Sequence, residues 1–259
     1  MKKTALITGA SSGIGYECSK IFASNGYDLI LVARSEEKLM ALKAELEERH
    51  GVSAFVIVQD LSQKDAAREI FEQVEKTETD VNVLVNNAGF GDYGGYADAD
   101  WEKQYDMVQV NILALMQLTK LFLPHMLQRK EGRILNMASM AAFVPGPYMS
   151  VYYASKSFVL SFSESLAIEL RGSGVTVTAV CPGPTETEFE KVAGSGIRKL
   201  FDTTKTAAAD KVALFSYRAA MRGKIIAVPG LKNKTGAVGQ RFLPKRIVRA
   251  IVLKLQGEK

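Results

Sequence analysis

Apolar residues recur along the chain in short runs separated by longer stretches of mixed character. Lys3–Thr8, Asp28–Ala33, Val52–Val58, Val81–Asn86, Arg133–Ala138, Val175–Cys181 and Lys224–Val228 are short and apolar, and several are rich in β-branched residues, the pattern of strands. The stretches between them carry helical patterning, with Ser35 and Ser62 placed as N-caps and Gly172 as a C-cap. Asp98–Arg129 reads as one long helix with a possible break at Pro124, and Val151–Arg171 as another helix. Strands alternating with helices imply parallel βαβ units. The expected fold is α/β: a Rossmann-like, doubly wound, seven-stranded parallel sheet in a single domain over residues 1–259. Gly183–Ala208 is irregular and too long for a simple connection, so a substrate lid is expected over about 184–222.

Composition changes this picture little, and charge changes it more. Of 259 residues 47% are hydrophobic and 24% charged, ordinary values for a globular chain. Cys18 and Cys181 stand too far apart in sequence to suggest a disulfide framework. The apolar run after Met1-Lys2-Lys3 is too short for a signal peptide, and no apolar stretch approaches the ~18 residues of a membrane span; a cytoplasmic location is expected. The net charge of +5 hides an asymmetry. Residues 1–190 hold 17 Lys and Arg against 25 Asp and Glu, whereas residues 191–259 hold 16 against 3. Within the basic C-terminal segment, about 230–259, Pro244 suits a helix start. Ile247, Val248, Ile251, Val252 and Leu255 then fall on one arc, with Lys245, Arg246, Arg249 and Lys254 off it. Such a helix packs on its own domain or a sister subunit, or meets an anionic membrane surface or an acidic substrate carrier. No nucleic-acid partner is expected.

The first strand runs into Gly9-Ala10-Ser11-Ser12-Gly13-Ile14-Gly15, a glycine-rich turn between a strand and a helix. Glycines there let the backbone approach a pyrophosphate closely, and the helix N-terminus adds amide donors. Further along come Asp60-Leu61, Asn86-Asn87-Ala88-Gly89, Asn111, Ser139, Tyr152-x-x-x-Lys156 and Pro182-Gly183. With these motifs in this order the chain resembles the short-chain dehydrogenase/reductase family, in its compact branch, over residues 3 to about 185. The resemblance implies that Asp60 caps an adenine ring and that Asn87, Ala88 and Gly89 line the adenosine side. It also implies that Pro182, Gly183, Thr185 and Thr187 sit beside the nicotinamide. Relatives are commonly homodimers or homotetramers, which makes the apolar run Phe158, Leu160, Phe162 and Leu166 a candidate subunit surface.

Strand two ends Ala33-Arg34-Ser35. An acidic residue there holds a ribose hydroxyl, whereas an arginine accommodates a 2′-phosphate. Arg34, with Ser35 as a weaker second ligand, therefore predicts NADP(H) over NAD(H).

Tyr152 and Lys156 are four apart in a helix and share a face. A free phenol titrates near ~10, and a nearby ammonium is expected to lower that value. Ser139, ending a strand at the carboxyl edge of the sheet, is suited to hydrogen-bond a substrate oxygen. The resemblance assigns these three the chemistry, and adds Asn111 as the residue that shapes the long helix and supports a proton relay to Lys156. Tyr153 is a rival for Tyr152, and the family pattern selects Tyr152. His50, His125 and Cys181 lack partners for metal or nucleophilic chemistry, and no metal-ligand cluster appears. The expected function is NADP(H)-dependent reduction of a carbonyl or oxidation of an alcohol. The alternatives are an epimerase or dehydratase of the same family, or a non-catalytic dinucleotide sensor. Candidate pocket walls Phe90–Tyr93, Met140–Val144, Tyr148-Met149 and Phe189–Phe201 are mostly apolar and favour a lipophilic or acyl substrate.

Overall fold

A computed structural model describes residues 2–189, 193–194 and 206–256. Seven strands form one parallel sheet: β1 Thr4–Thr8, β2 Asp28–Ala33, β3 Ala54–Val58, β4 Val81–Asn86, β5 Gly132–Met137, β6 Val175–Val180 and β7 Ile226–Ala227. Their order is β3-β2-β1-β4-β5-β6-β7. The chain works outward from β1 in one direction and from β4 in the other. The crevice beyond the carboxyl ends of β1 and β4 is therefore the switch point, where open α/β sheets bind ligands. Both faces of the sheet are covered, so the central strands are apolar throughout; all five residues of β1 are buried.

The helices are α1 Gly13–Ser24, α2 Glu36–His50, α3 Ala66–Glu75, α4 Trp101–Val108, α5 Leu115–Arg129, α6 Ser150–Glu169, α7 Ala209–Met221, α8 Leu231–Gly239 and α9 Lys245–Gln256. α1, α2 and α7 cover one face, where Phe22, Leu39, Leu42, Leu46 and Ala213 pack on Ile7, Leu31 and Val85. α3, α5 and α6 cover the other, where Ile70, Leu118, Phe122 and Leu166 pack on Leu6, Ile30, Leu84 and Ile134.

Several expectations need correction. Ser35 occupies the N-cap position of α2, but its side chain makes no capping bond. Ser62 caps nothing, because α3 begins four residues later with Asp65 at its N-cap. The helix from Trp101 does not break at Pro124, which lies inside α5. It changes pitch earlier, through a π-helical turn at Gln109–Ala114 between α4 and α5. That continuous Trp101–Arg129 stretch is long and apolar enough to cross a membrane by length and composition, contrary to the expectation. In the fold it is a core helix, with Leu115, Leu118, Phe122 and Met126 buried under the sheet. Leu160 and Leu166 are buried too, so they offer no subunit surface. Phe158 and Phe162, stacked at 5.9 Å, remain partly exposed. α7 packs in the core against α1, so a lid within 184–222 does not extend over it. Residues 190–192 and 195–205 of that stretch, and most of the Phe189–Phe201 wall, lie outside the described residues.

Candidate active site

The carboxyl ends of the central strands open into one cavity of about 1040 Å³. At one end the turn after β1 contributes Gly9, Ser11, Ser12, Gly13 and Ile14. Gly9 and Gly13 adopt left-handed φ values of 66° and 55°, which disfavour any side chain. A Cβ at Gly15 would run into the Gly9 carbonyl, so α1 rests directly on the turn because position 15 has no side chain. α1 begins without a side-chain cap, leaving its first amides to other partners.

The turn is clasped from below. The Thr8 hydroxyl accepts from the Asn87 and Ala88 amides, each at 3.0 Å, and donates to the Val85 carbonyl at 3.3 Å. The Asn87 side chain donates back to the Thr8 carbonyl at 2.9 Å and the Gly9 carbonyl at 3.3 Å. Asn87 lines the cavity, yet its amide is committed to tying β4 to the glycine turn. The clasp needs a hydroxyl on one strand end and an amide on its neighbour. Two residues far apart in sequence carry no local signal of such a pairing.

Arg34 and Ser35 border the cavity past the end of β2, as do Lys38, Gln59, Asp60 and Leu61. Arg34 is exposed. Lys38, which sequence reasoning did not single out, pairs with Glu188 at 3.1 Å, joining α2 to the segment after β6. Asp60 accepts from the Ser62 amide at 2.9 Å. Opposite, Pro182, Gly183, Thr185 and Thr187 line the wall after β6. The Thr187 methyl lies where a Cβ on Gly13 would come within 2.9 Å, so this wall sits against the glycine turn.

Asn111, Ser139, Tyr152 and Lys156 converge at the far side of Gly89. Asn111 lies in the π-helical turn, buried. Its amide donates to the Phe90 carbonyl at 2.9 Å and to the Ser155 hydroxyl at 3.0 Å, and its oxygen accepts from the Phe90 amide at 3.1 Å. Ser155 in turn donates to the Tyr152 carbonyl at 2.7 Å. The extra residue of the π turn thus coincides with the side chain that fixes both the segment after β4, at Phe90, and the start of α6. Ser155 was not anticipated, since a serine inside a helix is unremarkable by itself. A Cβ on Gly89 would lie 2.9 Å from the Asn111 oxygen and 3.2 Å from Lys156 Nζ, so this glycine lets the two approach.

Lys156 is buried and donates to the Met137 carbonyl at 2.9 Å. Its Nζ stands 5.8 Å from the centre of the Tyr152 ring. Burial lowers its pKa from the ordinary 10.5 to about 8, with a smaller opposing pull from Cys181. The Tyr152 phenol moves the other way from expectation. Burial pushes it up to about 12, only partly offset by a hydrogen bond with Ser139. The ammonium is turned to a backbone carbonyl rather than to the phenol, so it does not overcome desolvation. Ser139 also accepts from the Ala141 amide at 3.1 Å, which fixes its hydroxyl at the end of β5. Tyr153 packs against Gly146, where a Cβ would overlap its ring. The phenol beside Ser139 is that of Tyr152.

Apolar side chains line the cavity around Tyr152: Met140, Phe143, Val144, Met149 and Phe189, and the lining also takes in Leu243, Val248, Ile251 and Val252. The last four come from the C-terminal region, which was not foreseen as a cavity wall. Of the expected walls, Phe90, Met140–Val144 and Met149 line the cavity at least in part, whereas Tyr93 packs behind Met149.

The cavity's residues, from glycine turn to tyrosine, follow one family's order, and the sequence model of the short chain dehydrogenase family matches residues 3–197. The chain belongs to the short-chain dehydrogenase family. It is 36% identical to sulfoacetaldehyde reductase 2 of Chromohalobacter salexigens over 228 residues, 85% of this chain and 90% of the relative. It is 37% identical to the very-long-chain 3-oxoacyl-CoA reductase of Anas platyrhynchos over 194 residues, 73% of this chain and 61% of the relative. It thus spans about three fifths of the length of some curated relatives. Among solved structures it resembles a short-chain dehydrogenase from Sphingobium yanoikuyae in complex with NADPH. The TM-score is 0.84 and the identity 32%, covering 93% of this chain and 92% of the other. This is an oxidoreductase family.

Proposed function

We propose that this protein is an NADP(H)-dependent carbonyl reductase or alcohol dehydrogenase acting on an apolar or acyl-type substrate. The observation that carries the reading is one continuous cavity. It joins the glycine turn and Arg34 to Ser139, Tyr152 and Lys156, and continues into an apolar wall. A dinucleotide fits this lining. Gly9, Ser11, Ser12, Gly13 and Ile14 form the pyrophosphate cradle, and Gly15 lets α1 rest on it from beneath. Arg34 and Ser35 take the 2′-phosphate, and Asp60, Leu61, Asn87, Ala88 and Gly89 take the adenosine side. Pro182, Gly183, Thr185 and Thr187 flank the nicotinamide. The related Sphingobium structure holding NADPH supports the phosphate-bearing cofactor.

When bound, the nicotinamide ring supplies or accepts the hydride. The chain's own residues handle the oxygen. With its pKa pushed up to about 12, the Tyr152 phenol holds a proton at neutral pH and can give it to the oxygen of a carbonyl being reduced. Ser139 presents a hydroxyl to the same oxygen. Lys156 holds its place on the Met137 carbonyl, and Asn111, through Ser155, anchors the helix that carries Tyr152 and Lys156. A homodimer or homotetramer is part of this reading. Its apolar surface includes Trp101, Tyr105 and Leu113, which remain exposed along the α4–α5 helix.

The test is loss of NADPH absorbance against a panel of apolar ketones, β-ketoacyl thioesters and sugars. Reduction of members of the first two groups is expected. NADPH binding without turnover on any of them would leave a sensor, and isomer formation without net oxidation would leave an epimerase.

A further inference from the structure

The C-terminal corner combines two features that the carbonyl-reductase reading does not use. The first is charge. Residues 211–256 contain 11 Lys and Arg and no Asp or Glu. Lys232 and Lys234 on α8, and Lys245, Arg246, Arg249 and Lys254 on α9, are all exposed. Among the described residues none of these six stands in an ion pair. The second is an apolar ridge. α8 and α9 meet at a 3-10 turn, Gln240–Phe242. Phe242 projects there at 83% exposed, followed by Leu243 at 44%, Ile247 at 41% and Ile251 at 47%. Only Val248 and Val252 of the expected apolar arc are buried; the Leu255 side chain lies outside the description.

Leu243, Ile247 and Ile251 follow one another at four-residue spacing, so the ridge continues along one flank of α9. At ~100° per residue Lys254 lies next to Ile247 on that flank, with Arg246 further round. Leu243 and Ile251 border the cavity as well as the exterior.

We propose that the α8–α9 corner docks on an anionic lipid surface, with Phe242, Leu243, Ile247 and Ile251 entering the interface and the surrounding cations meeting lipid phosphates. An amphipathic helix with Lys and Arg beside a protruding aromatic and aliphatic edge is suited to lie in the headgroup layer. Two other occupants fit less well. A second copy of this chain on a two-fold axis would bring the same patch against itself. That would set cations against cations, with no Asp or Glu among the described residues of α8 and α9. An acidic carrier protein would satisfy the charge, yet it would also need a pocket for the ridge; a bilayer needs none. Because Leu243 and Ile251 belong to both ridge and cavity, docking would set the cavity's apolar end at the lipid surface. A lipophilic substrate could then pass between them. That last step rests on the reading of this end as the substrate site, whereas docking itself does not.

The test is co-sedimentation of the full chain with phosphatidylcholine vesicles, with and without phosphatidylglycerol, at low and raised salt. Two variants accompany it: Phe242→Ser, and Arg246→Glu with Lys254→Glu. None of these three residues lines the cavity. Binding should require phosphatidylglycerol and weaken with salt. It should fall several-fold in Phe242→Ser and at least about twenty-fold in the double variant, given roughly five-fold per cation. No sedimentation with phosphatidylglycerol vesicles at low salt overturns the proposal, whether or not an acidic protein is captured instead. So do equal binding to neutral vesicles, and unchanged binding by both variants. A drop in mass by light scattering in Phe242→Ser, with vesicle binding unaltered, would reassign the ridge to a second copy. Reduction of a water-soluble ketone without vesicles is measured in parallel. Its failure in the native protein would count against the reductase reading and leave the docking result standing.

Discussion

The two ends of the cavity are built on different principles. The dinucleotide end is made of backbone and short polar side chains held in fixed register: the Thr8–Asn87 clasp, glycines where a Cβ would collide, and a π turn locked by Asn111. The other end, which the proposed function gives to the substrate, is made of methionine, phenylalanine and aliphatic side chains drawn from three separated stretches of chain. Hydrogen bonds specify distance and direction, so the first end suits a ligand of one shape. Apolar contact is nondirectional, and methionines adapt to irregular shapes. The second end therefore suits a class of substrates, and changes there can retune specificity while leaving the cofactor in place. Tyr152 stands at the boundary.

The largest effect is expected at that boundary. Tyr152→Phe should lower turnover by at least ~10²-fold, the scale of a lost general acid. Dinucleotide affinity should stay within a few-fold, because the phenol is not part of the phosphate cradle. Steady-state reduction and a fluorescence titration of NADPH check the two halves. Near-native turnover would remove Tyr152 from the mechanism.

Lys156 gives a pH signature that belongs to the rigid end alone. Its pKa is depressed to about 8 in the folded chain and returns to the ordinary value on unfolding. Between those values the unfolded state binds more protons, so stability should rise with pH there. The cost of the buried ammonium is fully present below pH ~8. It amounts to on the order of 3 kcal/mol at 1.36 kcal/mol per pH unit. Above ~10 the raised Tyr152 value acts in the opposite sense, and stability should fall. Urea unfolding of the native protein and Lys156→Met across this range, without cofactor, checks it. The gap between the two should shrink steadily from pH 8 to 10. A constant gap would mean that the lysine is not charged against its burial.

How much of this was readable in the sequence follows the same division. The seven strands were legible because buried parallel strands are continuous apolar runs, and β1 to β7 fall where those runs lie. The motif residues of the rigid end were legible as contiguous words, such as Gly9 to Gly15. What tied the words together was not. Thr8 and Asn87, Asn111 and Ser155, and Lys38 and Glu188 are long-range pairs whose pairing leaves no local signal, even where one member belongs to a motif. Proline was a visible reason to interrupt the long helix at position 124, yet the helix absorbs it and the irregularity sits at Asn111. That turn serves tertiary hydrogen bonds, which local propensity does not record. The Tyr152 pKa was misjudged because spacing gave its nearness to Lys156 but not their burial or the carbonyl that takes the ammonium. At the adaptable end, periodicity gave α9 its apolar arc without saying that Val248 and Val252 would wall the cavity.

Arg34 tests the rigid end at its exposed margin. NADPH should bind more tightly than NADH, and Arg34→Ala should remove much of the difference. A charge-assisted hydrogen bond is worth ~1.5–3 kcal/mol, or roughly ten- to hundred-fold in affinity. Lys38 is a second cation at the same rim, held by Glu188, so some preference should survive in the single variant. Titration of both cofactors against both proteins decides it. Equal affinities in the native protein would overturn the assignment of the 2′-phosphate site.

The smallest effect should come from the adaptable end, and it is the one that most sharpens the contrast. Ile251 borders the cavity but is 47% exposed, so truncating it removes only part of a contact and leaves the core intact. Ile251→Ala deletes apolar surface that a lipophilic substrate would cover. At ~25 cal/mol per Å² the loss is about 1 kcal/mol, or roughly five-fold in kcat/KM for a long-chain ketone. A short ketone that does not reach α9 should show almost no change, and NADPH affinity none. The difference between the two ketones is the informative quantity, because a general loosening of the fold would slow both alike. Equal losses on both, or a loss in NADPH binding, would mean that α9 supports the cavity as a whole rather than forming its substrate wall.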